Sequence, residues 1–410
     1  MREIEVAIVG GGPAGLTAAL FLAHAKPELA DRIAVLERER YPRDKFCAGA
    51  MGRRADKILA EIGVSLDVPS VPIHGMSAAF KRGTIVLREP EIGRVVRRIE
   101  MDHALANAAR ARGVSVIEGM GVASVAWDSH GAVLSTPQGP LKTRVLVGAD
   151  GVGSVVRRAM GLPFGRIRAQ VAEVDTEPVA SDDPARELLR FDFTHRDFPG
   201  YLWDFPTVSG GRRLVCRGAY VLSPRADRSE AADVKQILRA HLRTLGLDLD
   251  RYRLKRFSER GFEPSLELSR PGALLAGEAA GIDPVLGEGI PQAIEYGALA
   301  GRYLAEKLTQ NDLDFRSYTG LVRASRLGRD LRLRAAFLDR YYESPLRDGI
   351  ERYILTGPPI LRAGLRYFGG KPVPRADRLK SLASAALFAP RIGLRAIASE
   401  IVRTARRSPR

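Results

Sequence analysis

The residues best suited to chemistry gather in three glycine-rich segments that lie far apart in the chain. They are Gly10-Gly11-Gly12-Pro13-Ala14-Gly15, then Gly148-Ala149-Asp150-Gly151-Val152-Gly153, then Gly277-Glu278-Ala279-Ala280-Gly281-Ile282-Asp283-Pro284, running on to Gly287-Glu288-Gly289-Ile290-Pro291. The first has the spacing Gly10-x-Gly12-x-x-Gly15. Such spacing allows a tight turn, close approach of backbone to a pyrophosphate, and close helix–strand contact. A helix that opens there offers N–H groups and a partial positive charge to phosphates. Glu37 lies 22 residues past Gly15, where a carboxylate bonds a ribose 2′-OH and repels a 2′-phosphate. Arg38, next to it, belongs to the same expected cofactor contact. Asp150 and Glu278 each end an apolar strand and could accept bonds from ribityl or ribose hydroxyls. Gly151 lets the backbone pass close to a cofactor. Asp283, Gly287, Gly289 and Ile290 lead into a helix whose N-terminus could face the N1–C2 carbonyl of a flavin. One such segment is weak evidence. Three in this order describe a chain that returns three times to one dinucleotide, and FAD is the dinucleotide expected.

The elements that must position these residues read as alternating strands and helices. Ile4 to Val9 is an apolar strand, a helix starts near Pro13, and Arg32 to Glu37 is a second strand. Pro suits the first helical turn, where its missing N–H costs nothing. The helix body, Leu16 to Ala25, is apolar nearly all round and is expected to be buried. Residues 70–97 look β-rich, with turns at Gly75, Gly83 and Gly93. A helix from Ala104 to Ala111 and a strand at 114–117 follow, with strand-like pieces to 147. From 166 to 268 the pattern is short strands with Pro and Gly punctuation, interrupted by a helix at 229–245. Beyond Ala276 the chain reads as mostly helical, including a helix at 290–307. The expected fold is α/β. A Rossmann-type FAD-binding domain is assembled from 1–69, 98–165 and 270–305. A mostly antiparallel β-sheet substrate domain is inserted at 70–97 and 166–269. A helical, basic region covers 306–410.

Composition narrows the class. A chain of 410 residues with 45% hydrophobic and 27% charged residues is an ordinary globular chain of two or three domains. Its two cysteines, Cys47 and Cys216, exclude a disulfide scaffold and a four-cysteine iron–sulfur cluster. A reducing cytoplasm is the expected setting, with no signal peptide before the first strand. No apolar run is long enough to span a membrane. The six histidines show no ligand spacing, so a metal site is not expected. His195 is the one that could face a substrate. The net charge is +16, and residues 353–410 hold 12 basic and 2 acidic residues. Leu361, Leu365, Tyr367 and Phe368, then Leu379, Leu382, Leu387 and Phe388, stand between those charges. This pattern suits peripheral contact with an anionic membrane surface, a solvated helical cap, or, least of the three, nucleic acid.

Two features leave alternatives open. Tyr201, Trp203 and Phe205 alternate and so share one face of a strand that Pro206 should end. They form either sheet core or the apolar wall of a hydrophobic-ligand site. Cys47, with Arg43 and Lys45 nearby to lower its pKa, is either a proton donor or redox relay beside a flavin or a small residue in a tight loop. Cys216 reads as core.

The three segments, in this order and spacing, resemble the FAD-dependent oxidoreductases typified by aromatic hydroxylases, and within them the geranylgeranyl reductase family. Arg43-x-Lys45-x-Cys47-Ala48-Gly49 resembles that family's Lys-x-Cys-Gly-Gly. Arg98-Ile99-Glu100-Met101-Asp102 resembles its Arg-x-x-Phe-Asp. Tyr201-Leu202-Trp203-Asp204-Phe205-Pro206 resembles its Tyr-x-Trp-x-Phe-Pro. The resemblance covers roughly 4–305 and departs from the pattern at Glu278, where Asp is usual, at Ala48 in place of Gly, and at Met101 in place of Phe. It implies that Cys47, Ala48, Gly49 and Arg98 contact the cofactor and that Tyr201, Trp203, Phe205 and Pro206 contact an isoprenoid substrate. It implies reduction of C=C bonds in a prenyl chain on a lipid, a diphosphate or a quinone. The electrons would come from NAD(P)H or a reduced electron carrier, such as an electron-donor protein. An unactivated alkene accepts hydride poorly, so an acid must assist, and Cys47 or a water beside it is the candidate. The other readings are a flavin monooxygenase of an aromatic or polyketide-like substrate and a membrane-surface flavoprotein relaying electrons to a quinone. The Trp-x-Trp-x-Ile-Pro segment of halogenases is not present in the sequence.

Overall fold

A computed structural model describes residues 2–223, 233–342, 346–356 and 359–388. The chain opens with β1 (Arg2–Val9), α1 (Pro13–Ala25) and β2 (Ile33–Leu36). Next come β3 (Ala50–Gly52), α2 (Arg53–Ala60), β4 (Ser70–Phe80), β5 (Gly83–Val96) and α3 (Arg98–Ala111). They are followed by β6 (Ser115–Ile117), β7 (Ser124–Asp128), β8 (Gly131–Thr136), β9 (Gly139–Gly148) and α4 (Val155–Ala159). The middle of the chain forms β10 (Arg168–Thr176), β11 (Leu188–Asp192), β12 (Gly200–Ser209), β13 (Arg212–Ser223), α5 (Val234–Thr244) and β14 (Lys255–Arg260). Short strands β15 (Ser269–Arg270) and β16 (Ala273–Leu275) precede α6 (Ile290–Thr309), α7 (Ser317–Ala324) and α8 (Arg326–Tyr342). Helices α9 (Arg347–Leu355), α10 (Pro359–Phe368) and α11 (Arg375–Phe388) complete the described chain.

Two eight-stranded sheets carry the fold. The first runs β15-β16-β9-β1-β2-β6, with the β7–β8 hairpin joined to β9. Its central pairs are parallel. Helix α1, apolar on every side, is buried from Pro13 to Ala23 between this sheet and α6. The register sets Val9 beside both Leu36 and Gly148, and Gly148 beside Leu275. The three glycine-rich segments therefore leave the same edge of the sheet side by side. That edge is the carboxyl end of parallel strands, where open α/β sheets bind ligands.

The second sheet runs β14-β10-β13-β12-β11-β4-β5-β3 and is antiparallel except where β11 meets β4. Alternation along its strands gives it two apolar faces. Leu202, Ala219 and Val221 face α5 through Leu238 and Leu242. Tyr201, Trp203, Phe205 and Tyr220 face the other way, toward α8, α9 and α10.

The structure corrects several sequence expectations. Gly75 and Gly93 lie inside β4 and β5, not at turns, because a missing side chain there admits the carbonyl oxygens of Leu87 and Met51 from neighbouring strands. Pro206 does not end β12; it pairs with Val215 just past Asp204, the last residue that β11 pairs. A strand tolerates a missing donor where its second edge is free. Helix α3 begins at Arg98 rather than Ala104, its polar first turn held by the Arg98–Asp102 pair. β12 and β13 run 10 and 12 residues, longer than the punctuation suggests. Of the helix expected at 229–245, residues 229–232 lie outside the described residues, and α5 starts at Val234, capped by Asp233.

Candidate active site

Gly10 holds φ +106°, and a Cβ there would stand 2.3 Å from the Ala149 carbonyl oxygen. This joins the first segment to the second with no room for a side chain. Gly12 precedes α1 with no side-chain cap, Pro13 and Ala14 open the helix, and its first turn holds no acid. The nearest atom to a Cβ on Gly12 would be Arg98 Nη2, at 3.6 Å. An uncapped helix start beside a guanidinium is a seat for phosphate. Arg98 is fixed there by two bonds to Asp102, at 2.7 and 2.6 Å.

Glu37 is buried at the end of β2. Its Oε2 accepts from Gly11 N–H at 2.9 Å and from Arg43 at 3.2 Å, and its Oε1 accepts from Glu39 N–H at 3.0 Å. Arg43 also bonds Asp102 at 2.8 Å and the Gly11 carbonyl at 2.9 Å. Arg38 is not brought into this cradle: it is exposed and pairs with Glu39. Asp150 caps α4, accepting from Ser154 Oγ at 2.5 Å and from Val155 N–H at 2.7 Å. Burial raises its pKa. Gly151 faces Glu278, whose Oε2 would be 3.7 Å from a Cβ there. Glu278 Oε1 is buried and has no hydrogen-bond partner, and burial raises the pKa of this carboxyl too. An unmet acceptor beside Gly151 and Arg98, an open helix start and a buried Glu37 together fit FAD.

The third segment borders a cavity of about 450 Å³. Its floor includes Cys47, Ala48, Gly49, Gly287, Gly289 and Ile290. Gly289 precedes α6 without a side-chain cap and no acid lies in that helix's first turn. Asp283 is buried below, accepting from Val285 N–H at 2.8 Å and paired with Arg334. Tyr201, Trp203 and Phe205 form one wall, joined by Phe191 and Tyr220. The Tyr201 and Tyr220 rings stack at 5.1 Å, and Tyr201 Oη donates to the Leu286 carbonyl at 2.5 Å. Pro206 is buried in β12 and is not part of the lining. The opposite wall is Leu361, Leu365, Tyr367 and Phe368 of α10, with Phe337 and Ile354.

That wall places part of the basic C-terminal stretch inside the fold. Leu361, Leu365 and Phe368, at helical spacing, turn inward to the cavity, and Arg366 and Lys371 pair with Glu89 at 3.2 and 2.7 Å. Leu379 remains exposed. The side chains of Leu382, Leu387 and Phe388, and all of 389–410, lie outside the described residues.

Cys47 reaches the cavity, but the expected activation does not occur. Arg43 turns to Glu37 and Asp102, and Lys45 lies over the Phe257 ring at 5.4 Å. Burial pushes the thiol up, against a downward pull from Arg98, so it stays protonated. Glu173 accepts from Cys47 N–H at 3.0 Å and lies 3.7 Å from Cys216 Sγ. Burial drives Glu173 up to about 7. Cys216 is fully buried. His195 is half-exposed between Asp192 and Asp197 and does not line the cavity. Among the described residues no group of His, Cys, Asp and Glu could hold a metal. No helix of the described residues is long and apolar enough to cross a membrane. The sequence reading missed Glu259, which lines the cavity from β14, and the α8–α10 wall. Alternation along 255–260 puts Phe257 and Glu259 on one face, a signal that a single acid in a polar strand masks.

A family model described as an FAD binding domain matches residues 3–318. The chain is 28% identical over 344 residues to digeranylgeranylglycerophospholipid reductase 2 of Methanothermobacter thermautotrophicus, covering 77% of this chain and 81% of that one. It is 28% identical over 339 residues to the menaquinone reductase of Mycolicibacterium smegmatis, covering 74% and 76%. Among solved structures it is similar to a geranylgeranyl bacteriochlorophyll reductase-like protein of Thermoplasma acidophilum. The TM-score is 0.73 at 22% identity, over 96% of this chain and 98% of that one.

Proposed function

The chain belongs to the FAD-binding domain family, and from that premise we propose that it is a reductase that saturates C=C bonds of a prenyl chain on a lipid, diphosphate or quinone. The observation that carries this reading is the apolar, aromatic-walled cavity that meets Cys47–Gly49 and Gly287–Ile290. Bound in the glycine cradle, FAD supplies a two-electron store that can deliver hydride to carbon.

The chain's own residues do the rest. Gly10, Gly12 and Gly15 admit the pyrophosphate, with Arg98 beside it, and Glu37 and Glu278 take the sugar and ribityl hydroxyls. Tyr201, Trp203 and Phe205 hold an extended hydrocarbon by contact area alone, without charge. Helices α8 to α10 cover that hydrocarbon and keep water from it. Cys47 forms part of the floor under the chain and presents a protonated thiol there. The uncapped N-terminus of α6 favours negative charge at the cavity floor. The electron donor is NAD(P)H or a reduced electron carrier. The named relatives support this reading because two of them act on prenyl lipids or prenylated quinones by name.

The test is anaerobic. The protein is reduced, mixed with a panel of prenyl lipids, and followed by its visible flavin bands. Return of the oxidised bands with one lipid, and a saturated product, supports the reading and identifies the substrate class. Reoxidation only in air, with oxygen consumed and a hydroxylated product, replaces it with the monooxygenase. A protein that takes up no FAD ends the argument.

A further inference from the structure

Saturating an alkene needs a proton as well as a hydride, and this inference rests on the reductase reading above. The cavity offers few groups that hold a dissociable proton. Arg334 and Glu288 bind one another at 3.0 Å, Arg334 also binds Asp330 at 2.8 Å, and Glu288 binds Arg54 at 3.0 Å. They form a closed network. Tyr201 has its proton on the Leu286 carbonyl.

Glu259 is different. It projects from β14 on the face that carries Phe257 and lines the cavity. Its Oε2 is buried and has no hydrogen-bond partner. A Cβ on Gly287 would stand 2.5 Å from that oxygen and 3.0 Å from the Tyr220 ring. Glu259 therefore sits where the aromatic wall meets the loop that leads into α6. Only a glycine at 287, held at φ +63°, leaves the carboxyl its place. A buried carboxyl with an unmet oxygen is held at a cost that an ionised form would multiply.

We propose that Glu259 is the acid that protonates the substrate alkene. The step balances as follows. The π bond breaks, and its electron pair forms a C–H bond with the Glu259 proton. The electron pair arriving as hydride from the reduced flavin forms the second C–H bond. Glu259 is left as a carboxylate and the flavin oxidised; water returns the proton before the next turnover. Burial keeps the carboxyl well above its ordinary value, and Glu278, Asp283 and Glu173 push it the same way while Lys45 pulls it down. Cys47 lies on the same floor, but its sulfur accepts from Gly49 N–H at 3.4 Å, and burial pushes its thiol up, where a thiol is already a weaker acid than a carboxyl.

The test uses Glu259→Gln in the full chain, with two readouts. The first is the infrared spectrum of the FAD-free protein at neutral pH: wild type is expected to show a protonated-carboxyl band that Glu259→Gln lacks. The second is anaerobic: FAD uptake and donor-driven flavin reduction are expected to match wild type. Reoxidation by the prenyl substrate should slow about a hundredfold or more, the usual range for losing a general acid. Reoxidation at the wild-type rate, or no change in the carboxyl band, would overturn the proposal. Should Glu259→Gln fail to take up FAD, Glu259→Asp decides, because it keeps an acid but draws it back: a slowed substrate step supports the proposal and an unchanged one refutes it. If wild type reoxidises with no prenyl lipid, the reductase reading fails, and the infrared result still says whether Glu259 holds its proton.

Discussion

Replacing Glu173 with Gln should make the protein more stable at high pH and leave it unchanged at low pH. Glu173 is wholly buried on β10, with Lys255 Nζ 3.9 Å away and Cys47 N–H on its Oε1. Desolvation lifts it from 4.5 to about 7, although Lys255 opposes the rise. The folded protein thus holds a proton that the unfolded chain has released. Where the folded state binds more protons, stability falls as pH rises. The loss begins near the unfolded value of 4.5 and is complete above about 7. At about 1.4 kcal/mol for each pH unit, ionising this side chain costs the fold about 3 kcal/mol. Glutamine is neutral throughout and can keep accepting from Cys47 N–H. Urea midpoints of wild type and Glu173→Gln, measured with equal FAD across the window, should coincide at the acid end and separate toward the alkaline end, the variant higher. Parallel curves, or a gap that opens in acid, would refute the reasoning.

The remaining predictions bear on the cradle, the wall and the tail. Gly12→Asp fits sterically and puts an acid at the start of α1, which suits the helix but opposes phosphate. Like charges in contact cost several kcal/mol, so FAD affinity, read by fluorescence titration, should fall at least about a hundredfold, with the FAD-free protein no less stable. Gly218→Ala would place a methyl 2.0 Å from the Trp203 ring. Overpacking of that kind costs about 1–3 kcal/mol, and thermal unfolding together with slower substrate-driven reoxidation should show it. We also propose that the basic stretch contacts anionic membranes: removing 389–410 should abolish co-sedimentation with phosphatidylglycerol vesicles while detergent-dispersed substrate is still reduced. Unchanged sedimentation would discard that contact.

The dinucleotide site was legible because its demands fall on backbone. Gly10 is recognisable in sequence since only glycine meets its tight turn against Ala149, Gly12 leaves the start of α1 without a side chain before the phosphates, and Glu37 follows at a spacing the strand–helix–strand unit dictates. The alternation of Tyr201, Trp203 and Phe205 fixed their shared face but not what lies opposite. A strand cannot report that α10 arrives from about 160 residues later. The residues of α10 were visible as apolar at helical spacing, yet a cavity wall and a membrane face share that pattern, because both remove the same side chains from water. Pro206 was credited with a substrate contact because it adjoins Phe205; adjacency in a strand sends the next side chain to the other face. Lys45 and Arg43 near Cys47 in sequence promised a thiolate, and Asp102, Glu37 and Phe257 claimed those cations instead.

The charges around the cavity also bear on which end of a substrate enters. Arg334 is the one cation among the described lining residues, and it is shared by Asp283, Glu288 and Asp330. Arg54, behind it, is held by Glu288 and Glu295 and lies over the Tyr367 ring. A diphosphate drawn inside would meet carboxylates that already occupy both guanidiniums, and displacing them would leave buried acids unpaired at a cost of several kcal/mol. An isoprenoid tail meets Tyr201, Trp203, Phe205, Leu361 and Phe368 and displaces nothing. The chain enters and the head stays at the surface, so a neutral-headed prenyl lipid should reoxidise the reduced protein at least as well as a prenyl diphosphate of the same chain length. A clear preference for the diphosphate would mean that the Arg334 network opens on binding, and mutation of Asp330 to Asn would then be expected to strengthen it.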